Sequence, residues 1–424
     1  MPSPDGGPGP GNVRLTRADC EARDAADPLA GFRRRFRLPP GVIYLDGNSL
    51  GPLPAETPAR VARLVEREWG EGLIRSWNDA DWIGAPARIG DKIGRLVGAA
   101  PGEVLVADST SVNLFKLLAG AAAARPGRRT ILSVADNFPT DLYIAEGVAG
   151  LLGGGLRLRL VAADDIPAAI DGDTAVAMLT EVDYRTGRRF DMKAVTAAAH
   201  DRGALMLWDL AHSAGALPVD LGAAGADLAV GCGYKYINGG PGAPAFLYVA
   251  RRLQQDWRQP LQGWLGHDRP FAFESGYAPG AGIRRNLVGT PPMLSLAALE
   301  CGVDLMLEAD MAAIRAKSMA LGDLFIALVE QELPGAGLAL AAPREAALRG
   351  SQVSFRHPEG YAIVQALIAR GVIGDFRAPD ICRFGFGPLY TTHAEIWDAV
   401  AHLAAVMTAE EWREPRFRRR AAVT

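Results

Sequence analysis

The chain has 424 residues, 49% of them hydrophobic, and a formal net charge of −3. This length predicts two or three domains with a large buried core. The near-neutral charge disfavours a nucleic-acid-binding protein, because the one basic cluster, 416–420, is typical of a solvated terminus. The sequence contains no run of the roughly 18 apolar residues that a membrane span needs.

Residues 1–12 are rich in proline and glycine and have neither the basic nor the apolar region of a signal peptide. We therefore predict a disordered N-terminal tail. The four cysteines, Cys20, Cys232, Cys301 and Cys382, show no C-x-x-C spacing, which favours reduced thiols in a cytoplasmic protein. We expect no metal site, no membrane partner and no nucleic-acid partner.

Helical patterns at 58–74 and 86–97 precede a region in which short apolar runs alternate with helices such as 111–124 and 192–202. Buried strands that alternate with helices indicate right-handed βαβ units. We therefore predict an α/β fold with a mainly parallel seven-stranded sheet between helices. The predicted strands are 104–106, 130–134, 156–161, 175–180, 204–208, 227–230 and 245–249.

The C-terminal third predicts a second, smaller α/β domain. Two long helices over 292–333, broken near Ala309 and Asp310, lead into a strand, a helix and a strand. The predicted organisation is an N-terminal arm at 13–60 joining the small domain, a large domain at 61–300 and a small domain at 301–424. Ligands of parallel sheets bind at the carboxyl ends of the strands.

Lys235 is one of only five lysines among 45 basic residues, and it lies between the apolar run 227–234 and the glycine-rich turn 239–242. Asp209 ends another predicted strand, with His212 three residues later. Pyridoxal phosphate chemistry needs such a lysine, and an acid that keeps the pyridine nitrogen protonated. Singly, Asp209 would as readily cap a turn, and a lone histidine is more often structural. The turn lacks the nucleotide-binding glycine motifs.

Hydroxyl side chains at 109–111 stand where the first strand gives way to a helix. A helix N-terminus offers unpaired N–H groups to a phosphate, although Ser and Thr there are usually only N-caps. Phe138, after the second strand, either covers one face of a cofactor ring or belongs to the core. Arg383, flanked by strand-forming residues, is either paired internally or aimed at a carboxylate ligand.

Together these stretches resemble the fold-type I pyridoxal phosphate enzymes and, more narrowly, the kynureninase family with its bacterial members. The resemblance covers about residues 40 to 390. Its most family-specific parts are DGNSLG at 46–51 and GWLGH at 263–267, whereas the pattern around Lys235 is common to many relatives. Gly233 departs from the family, in which Ser or Thr is common at this place, and so removes a hydroxyl near the cofactor.

The resemblance implies that Lys235 binds pyridoxal 5'-phosphate covalently and that Asp209 meets its pyridine nitrogen. Tyr234 either donates or relays a proton in the later steps or serves phosphate binding alone. It implies that Arg383 binds the substrate α-carboxylate. The implied cofactor-binding residues are Thr110, Ser111, Phe138, Pro139, Thr140, Asp141, Thr180, Asp209, His212, Tyr234, Lys235, Trp264 and Thr290. Thr290 would come from the partner subunit of a homodimer with shared active sites.

The implied reaction is hydrolysis of L-kynurenine to anthranilate and L-alanine by Cβ–Cγ cleavage, in tryptophan catabolism or NAD biosynthesis, with 3-hydroxykynurenine as a second substrate. One alternative is a cysteine desulfurase, but Cys382 would face the side of its strand opposite to Arg383. An aminotransferase of the same fold is another. A catalytically silent binding protein is a third alternative. The intact Lys235, Asp209 and Arg383 argue against it.

Overall fold

The computed structural model describes residues 14–420, so the predicted tail at 1–12 and the first residue of the predicted arm lie outside the described residues. The α-helices of the described chain are α1 (Arg17–Ala25), α2 (Thr57–Arg63), α3 (Ser76–Asp79), α4 (Ala85–Leu96), α5 (Thr110–Ala124), α6 (Pro139–Leu152), α7 (Ile166–Ala169), α8 (Met192–Asp201), α9 (Arg251–Gln254), α10 (Met293–Glu308), α11 (Met311–Glu332), α12 (Gly360–Ala369), α13 (His393–Thr408) and α14 (Pro415–Arg418).

The strands of the same region alternate with these helices through the middle of the chain. They are β1 (Phe36–Arg37), β2 (Ile43–Tyr44), β3 (Leu53–Pro54), β4 (Val104–Val106), β5 (Thr130–Val134), β6 (Arg157–Val161), β7 (Thr174–Thr180), β8 (Leu205–Asp209), β9 (Leu228–Gly231), β10 (Phe246–Val249), β11 (Ala339–Leu340), β12 (Gln352–Arg356), β13 (Val372–Ile373), β14 (Asp375–Arg377) and β15 (Ile381–Gly385).

The central sheet has seven strands in the order β4-β10-β9-β8-β7-β5-β6. Strands β9, β8, β7, β5 and β6 run parallel, whereas β10 is antiparallel to both of its neighbours. Strands β5, β7 and β8 are buried along their whole length, as expected for a sheet covered by helices on both faces. The predicted mainly parallel seven-stranded α/β fold is confirmed.

Local capping explains where several helices begin. The Ser109 hydroxyl accepts a hydrogen bond from the Val112 N–H at the start of α5, and the Asp191 carboxylate accepts one from the Ala194 N–H at the start of α8. The Asp310 carboxylate accepts from the Ala312 N–H and starts α11. This cap explains the predicted break near Ala309 and Asp310 between the two long helices.

The predicted helix over 58–74 differs from the structure. It begins as α2, but from Leu64 to Gly72 the backbone widens into a π-helix, followed by a 3₁₀ turn at Leu73–Arg75. Gly70 and Gly72 have low helix propensity, and Leu73 adopts a φ of 53°, which ends the helical path. Residues 69–74 therefore present an irregular surface rather than a regular helix face.

The C-terminal part forms a second, antiparallel sheet in the order β11-β12-β15-β14, packed against α11 and α12, on which α13 packs in turn. The N-terminal arm reaches this part through the parallel pair of β2 with β13 and the packing of α1 on α13. Helix α10 packs on α2 and α4, and α11 carries residues of both cores. The domain bounds at 60/61 and 300/301 stay a prediction.

Residues 14–420 have two further features. None of their helices is both long and apolar enough to cross a membrane. They contain no cluster of three or more His, Cys, Asp or Glu side chains placed to hold a metal ion.

Candidate active site

A cavity of about 450 Å³ lies at the carboxyl ends of β4, β5, β7 and β8. This is the edge of the sheet at which parallel strands place their ligands. The fold brings most of the predicted site residues into the lining of this cavity: Thr110, Ser111, Phe138, Thr140, Asp141, Thr180, Asp209, His212, Tyr234 and Lys235. Pro139 is the first residue of α6 and lies next to this lining without belonging to it.

Lys235 supplies the cavity with an amine. It lies in the turn after β9, four residues beyond the strand end, and not on the strand itself. Its Nζ is 3.0 Å from His212 Nε2 and 6.0 Å from the centroid of the Phe138 ring. Three of the other lysines of the chain are held in ion pairs with aspartate or glutamate, and the remaining one, Lys193, is exposed on α8.

His212 is held in its neutral form. Its side chain is buried, and the positive charges of Lys235, Arg383 and Arg377 add to the effect of burial. Burial and these charges hold the pKa of His212 well below its usual range. A neutral imidazole at 3.0 Å can accept a hydrogen bond from the Lys235 amine, so we infer that it orients this amine.

Asp209 and Asp141 form a buried carboxyl pair on the floor of the cavity. Burial raises the pKa of both groups, and the charge of Asp209 raises that of Asp141 further. The charge of Lys235 favours the ionised form of both groups, and a hydrogen bond of 2.7 Å from the Ala211 N–H favours that of Asp209 alone. Asp141 is therefore the member that keeps a proton, and Asp209 is the one that carries the negative charge.

The opposite end of the cavity is the N-terminus of α5. The Ser109 hydroxyl caps this helix, whereas the hydroxyls of Thr110 and Ser111 make no hydrogen bond to any residue between 14 and 420. Free hydroxyls beside the positive end of a helix are the groups that hold a phosphate. Of the three predicted hydroxyl residues, Ser109 therefore caps the helix, and Thr110 and Ser111 are free to bind a phosphate.

Asn137 is a positioning residue that was not among the predicted site residues. Its buried amide oxygen accepts hydrogen bonds of 2.9 Å from the Thr180 hydroxyl and 2.8 Å from the Phe138 N–H. Its amide nitrogen donates to the Ser133 hydroxyl at 3.1 Å. Asn137 thus ties the end of β5 to the end of β7 and fixes the backbone of Phe138. Its position three residues after a buried strand was the available signal.

Trp264 and Thr290 do not reach this cavity within one chain. Both are exposed, and Trp264 packs instead against Phe271 and Phe273. A Cβ on Gly263 would lie 1.9 Å from the Val288 carbonyl oxygen, so the loop that carries Trp264 runs against the loop that carries Thr290. The cavity of a single chain therefore lacks two of the predicted cofactor-binding residues. Thr290 is expected from a partner subunit, whereas Trp264 is expected in the cavity of its own chain and does not line it.

Arg383 is paired internally, the first of the two alternatives that the sequence left open. Its side chain is 1% exposed, and its Nε donates to Asp375 Oδ1 at 2.7 Å. Its Nη1 donates to the Tyr184 carbonyl at 2.6 Å and its Nη2 to the Ser49 hydroxyl at 2.9 Å. Arg383 does not line the cavity, but Tyr184 makes an edge contact with Phe138, which does.

Close packing explains why residue 233 is a glycine. A Cβ at this position would lie 2.6 Å from the Pro244 carbonyl oxygen and 2.8 Å from the Leu299 side chain. A side chain here would therefore meet backbone and core and would not point into the cavity. The absence of a hydroxyl at this position follows from close packing of the turn that carries Lys235.

The cysteines offer no nucleophile to this cavity, since none of the four lines it. Cys382 lies on β15 with its thiol donating to the Gly360 carbonyl at 3.5 Å, and burial raises the pKa of this thiol to about 12. A reactive cysteine needs an accessible thiolate with a lowered pKa. The site therefore lacks the group that a cysteine desulfurase requires.

Comparisons with known proteins decide the family. The model of the kynureninase C-terminal domain matches residues 314–403. A kynureninase from Pseudomonas fluorescens is 56% identical over 414 residues, which cover 96% of this chain and 100% of the relative. A kynureninase from Burkholderia pseudomallei is 55% identical over the same shares. The chain belongs to the kynureninase family.

Solved structures with a similar fold are more distant in sequence. An apo cysteine desulfurase from Thermococcus onnurineus superimposes with a TM-score of 0.76 at 17% identity, covering 90% of this chain and 98% of that chain. A C-DES variant with glycine covalently linked to the pyridoxal phosphate cofactor gives 0.76 at 19% identity, covering 88% and 98%. At such identities the likeness shows the fold, which is the predicted fold-type I architecture.

Pyridoxal phosphate is the cofactor of the kynureninase family, and the residues of the cavity fit it. A buried oxygen of Asp141, Oδ2, has no hydrogen-bond partner within residues 14–420, and the amine of Lys235 faces the same space. Two free hydroxyls stand at the α5 N-terminus. When bound, the cofactor supplies an electron sink for charge that develops at the substrate α-carbon. The chain supplies the amine, the acid pair and the phosphate cradle.

A fully buried lysine, Lys116, supports this phosphate cradle through its contact with an aspartate of the cavity lining. Lys116 Nζ contacts the Asp108 carboxylate and donates to the Asn286 carbonyl at 2.7 Å. Asp108 lines the cavity beside the α5 N-terminus and adopts a φ of 49°, a left-handed conformation that costs energy for a non-glycine residue. Lys116 therefore neutralises a carboxylate that stands next to the proposed phosphate position.

Lys116→Met is expected to weaken pyridoxal phosphate binding about 10-fold or more, because it leaves the Asp108 charge unpaired beside the phosphate. Titration of the apoprotein with the cofactor, followed by absorbance, measures this. Lys317→Met is the matched control, since Lys317 also forms a buried ion pair, with Asp27, 2.6 Å away and outside the cavity lining. Equal cofactor affinities of the two variants would contradict the assignment.

Asp46 predicts a pH dependence of stability. Burial, with Asp375 nearby, raises the pKa of Asp46 from 3.8 to about 7. The folded state thus holds this proton more tightly than the unfolded state, so stability is lost as the pH rises from about 4 through 7. Asp46→Asn is expected to stabilise the fold by up to about 4 kcal/mol at pH 8 and by less than half of that at pH 5.

Urea denaturation at the two pH values measures this difference. Asp136→Asn, at a side chain that is 81% exposed, is the control and should change the unfolding free energy by less than about 0.5 kcal/mol at either pH. An Asp46→Asn effect of the same size at pH 5 and pH 8 would show that Asp46 does not hold a proton in the fold.

Proposed function

We propose that the protein hydrolyses L-kynurenine to anthranilate and L-alanine by cleavage of the Cβ–Cγ bond, with pyridoxal phosphate bound at Lys235. The observation that carries this proposal is the convergence of Lys235, His212 and Asp209 on one cavity in a chain that is 56% identical over its length to a kynureninase. The identity supports the reaction, and the geometry supports the assignment of roles.

Each role follows from the environment of the residue. Lys235, beside neutral His212, is the amine that removes the substrate α-proton once the substrate has displaced it from the cofactor. Charged Asp209 would keep the pyridine nitrogen of the cofactor protonated, and Asp141 is the neutral member of the carboxyl pair beside it. Burial raises the pKa of Tyr234, so this residue stays protonated and does not act as a phenolate base. Its proposed role is to relay a proton in the later steps.

The substrate is tested by adding L-kynurenine to the protein loaded with pyridoxal phosphate. Anthranilate is followed by fluorescence and alanine by chromatography, and both are expected in equal amounts. A keto acid without anthranilate would indicate an aminotransferase, and sulfide released from cysteine would indicate a desulfurase. We also propose turnover of 3-hydroxykynurenine, to be measured in the same way.

We propose that the active protein is a homodimer in which each cavity is completed by Trp264 and Thr290 of the partner subunit. Both residues are exposed on neighbouring loops and stand outside the cavity of their own chain. Trp264 is 42% exposed, and beside it Phe271 and Phe273 are 60% and 77% exposed. An exposed aromatic cluster of this kind is typical of a surface that another protein covers.

Mixing two inactive variants tests this arrangement. One variant carries Lys235→Ala and the other carries Trp264→Ala with Thr290→Ala, so a mixed dimer contains one cavity with every required group. Random reassociation is expected to restore about one quarter of the wild-type activity. A mixture that stays as inactive as its components would show that Trp264 and Thr290 do not act across subunits.

We further propose a cytoplasmic location. The four thiols are all free, which agrees with a reducing compartment. A fusion to a fluorescent protein that is found outside the cytoplasm would contradict this proposal.

A further inference from the structure

Two arginines on adjacent strands share one buried aspartate. Arg383 on β15 lies opposite Asp375 on β14, and Arg377 follows two residues later on β14, on the same face as Asp375. Arg383 Nε donates to Asp375 Oδ1 at 2.7 Å, and Arg377 Nη2 lies 2.7 Å from Asp375 Oδ2. Both guanidinium groups also donate to the Ser49 hydroxyl. Asp375 therefore fixes the positions of two cations at once.

The N–H groups of Arg383 are almost all in use. A guanidinium has five N–H donors. Nε–H and one Nη2–H go to Asp375, the second Nη2–H goes to Ser49, and one Nη1–H goes to the Tyr184 carbonyl. One Nη1–H is left, and the side chain is 1% exposed. Arg383 in this arrangement cannot offer the two parallel donors of a bidentate carboxylate contact.

Arg377, in contrast to Arg383, has most of its N–H donors free. Its Nη2 contacts Asp375 and Ser49, whereas its Nε and Nη1 have no hydrogen-bond partner in the part of the chain that the structure describes. Three N–H donors are therefore free. The side chain is 35% exposed, so these donors are accessible while the guanidinium stays anchored by Asp375.

Neither guanidinium lines the cavity, but contacts link both to it, because Arg377 and Arg383 share the Ser49 hydroxyl and Arg383 donates to the Tyr184 carbonyl. The charges of Arg383 and Arg377 each lower the pKa of His212, whose Nε2 is 3.0 Å from Lys235 Nζ. Tyr184, which accepts a hydrogen bond from Arg383, has its ring edge-on to Phe138 at 5.1 Å between ring centroids. A substrate whose α-carbon is held at Lys235 would thus direct its carboxylate toward these two cations.

We propose that Arg377 is a second carboxylate-binding residue of the substrate site, with specificity for amino acids that carry a free α-carboxylate. Arg377 contributes two of its free N–H donors, Arg383 contributes its one remaining Nη1–H, and Asp375 is the positioning residue for both. This inference rests on the proposed function, because that function places an α-amino acid at Lys235.

The test is a binding titration of the cofactor-loaded protein with L-alanine and with L-alaninamide, followed through the absorbance of the bound cofactor. Arg377→Met is expected to weaken L-alanine binding about 10- to 100-fold, as for loss of charge-assisted hydrogen bonds, and to change L-alaninamide binding less than about twofold. Arg377→Lys should restore part of the preference for the acid, since lysine keeps the charge but loses the planar donors.

Arg356→Met is the control, because Arg356 forms a surface ion pair with Asp380 at 3.0 Å and should leave both affinities unchanged. Unchanged L-alanine binding in Arg377→Met, or an equal loss for acid and amide, would overturn the proposal. The titration needs no turnover of kynurenine. A protein that discriminates acid from amide through Arg377 but yields no anthranilate would refute the proposed reaction and not this inference.

Discussion

Lys235→Ala is expected to lower anthranilate formation at least about 10³-fold while the thermal unfolding midpoint of the apoprotein stays within a few degrees of the wild type. The reason is that the cavity contains one lysine amine, and the other four lysines are held in ion pairs or exposed on α8. Fluorescence of anthranilate and a thermal melt measure the two quantities.

Lys193→Ala serves as the control, since Lys193 is exposed at the start of α8 and lies outside the cavity lining. It should retain wild-type turnover. Residual activity of Lys235→Ala above about one tenth of the wild type would show that the base is another group, and the assignment of the amine would fail.

Asp209→Asn is expected to lower turnover about 10²- to 10³-fold, the usual loss when a preorganised charge opposite developing charge is removed. The amide keeps the size of the side chain but cannot carry the negative charge that holds the pyridine nitrogen protonated. Asp141→Asn should cost at least about tenfold less, because Asp141 already holds a proton and an amide can still donate to Asp209.

Initial rates of the two variants at saturating kynurenine measure this order of effects. Asp136→Asn, at an exposed aspartate outside the cavity, is the control for loss of a carboxylate as such. Equal losses in Asp209→Asn and Asp141→Asn would contradict the division of the pair into one charged and one neutral member.

The sheet could be predicted from the sequence because most of its strands are short apolar runs, a composition typical of buried strands. Strand β6, which carries two arginines, is only partly buried. Strand β8 and the acid at its end follow from the five buried apolar residues 204–208 and the polar residue, Asp209, directly after them. The same logic places Lys235 near Asp209, since neighbouring parallel strands deliver their carboxyl ends to one edge. It could not show that Lys235 lies in the turn beyond β9.

Contacts between distant parts of the chain could not be predicted in this way. Lys116 meets a carbonyl 170 residues away, and Arg383 meets the Ser49 hydroxyl across 334 residues. No local sequence pattern predicts such pairs. Hydrophobic periodicity shows which face of an element is buried, but not which polar group of another element it contacts. The exposure of Trp264 and the irregular backbone after Leu64 depend likewise on tertiary packing.

The most direct test of the account is to identify the lysine that carries the cofactor. The protein is loaded with pyridoxal phosphate and treated with sodium borohydride, which reduces the carbon–nitrogen double bond between the cofactor aldehyde and an amine. Digestion and peptide mass spectrometry then locate the modified residue. We expect the cofactor mass on Lys235, in the peptide that spans the turn after β9. Modification of Lys116 or another lysine, with Lys235 unmodified, would contradict the assignment of this cavity as the active site.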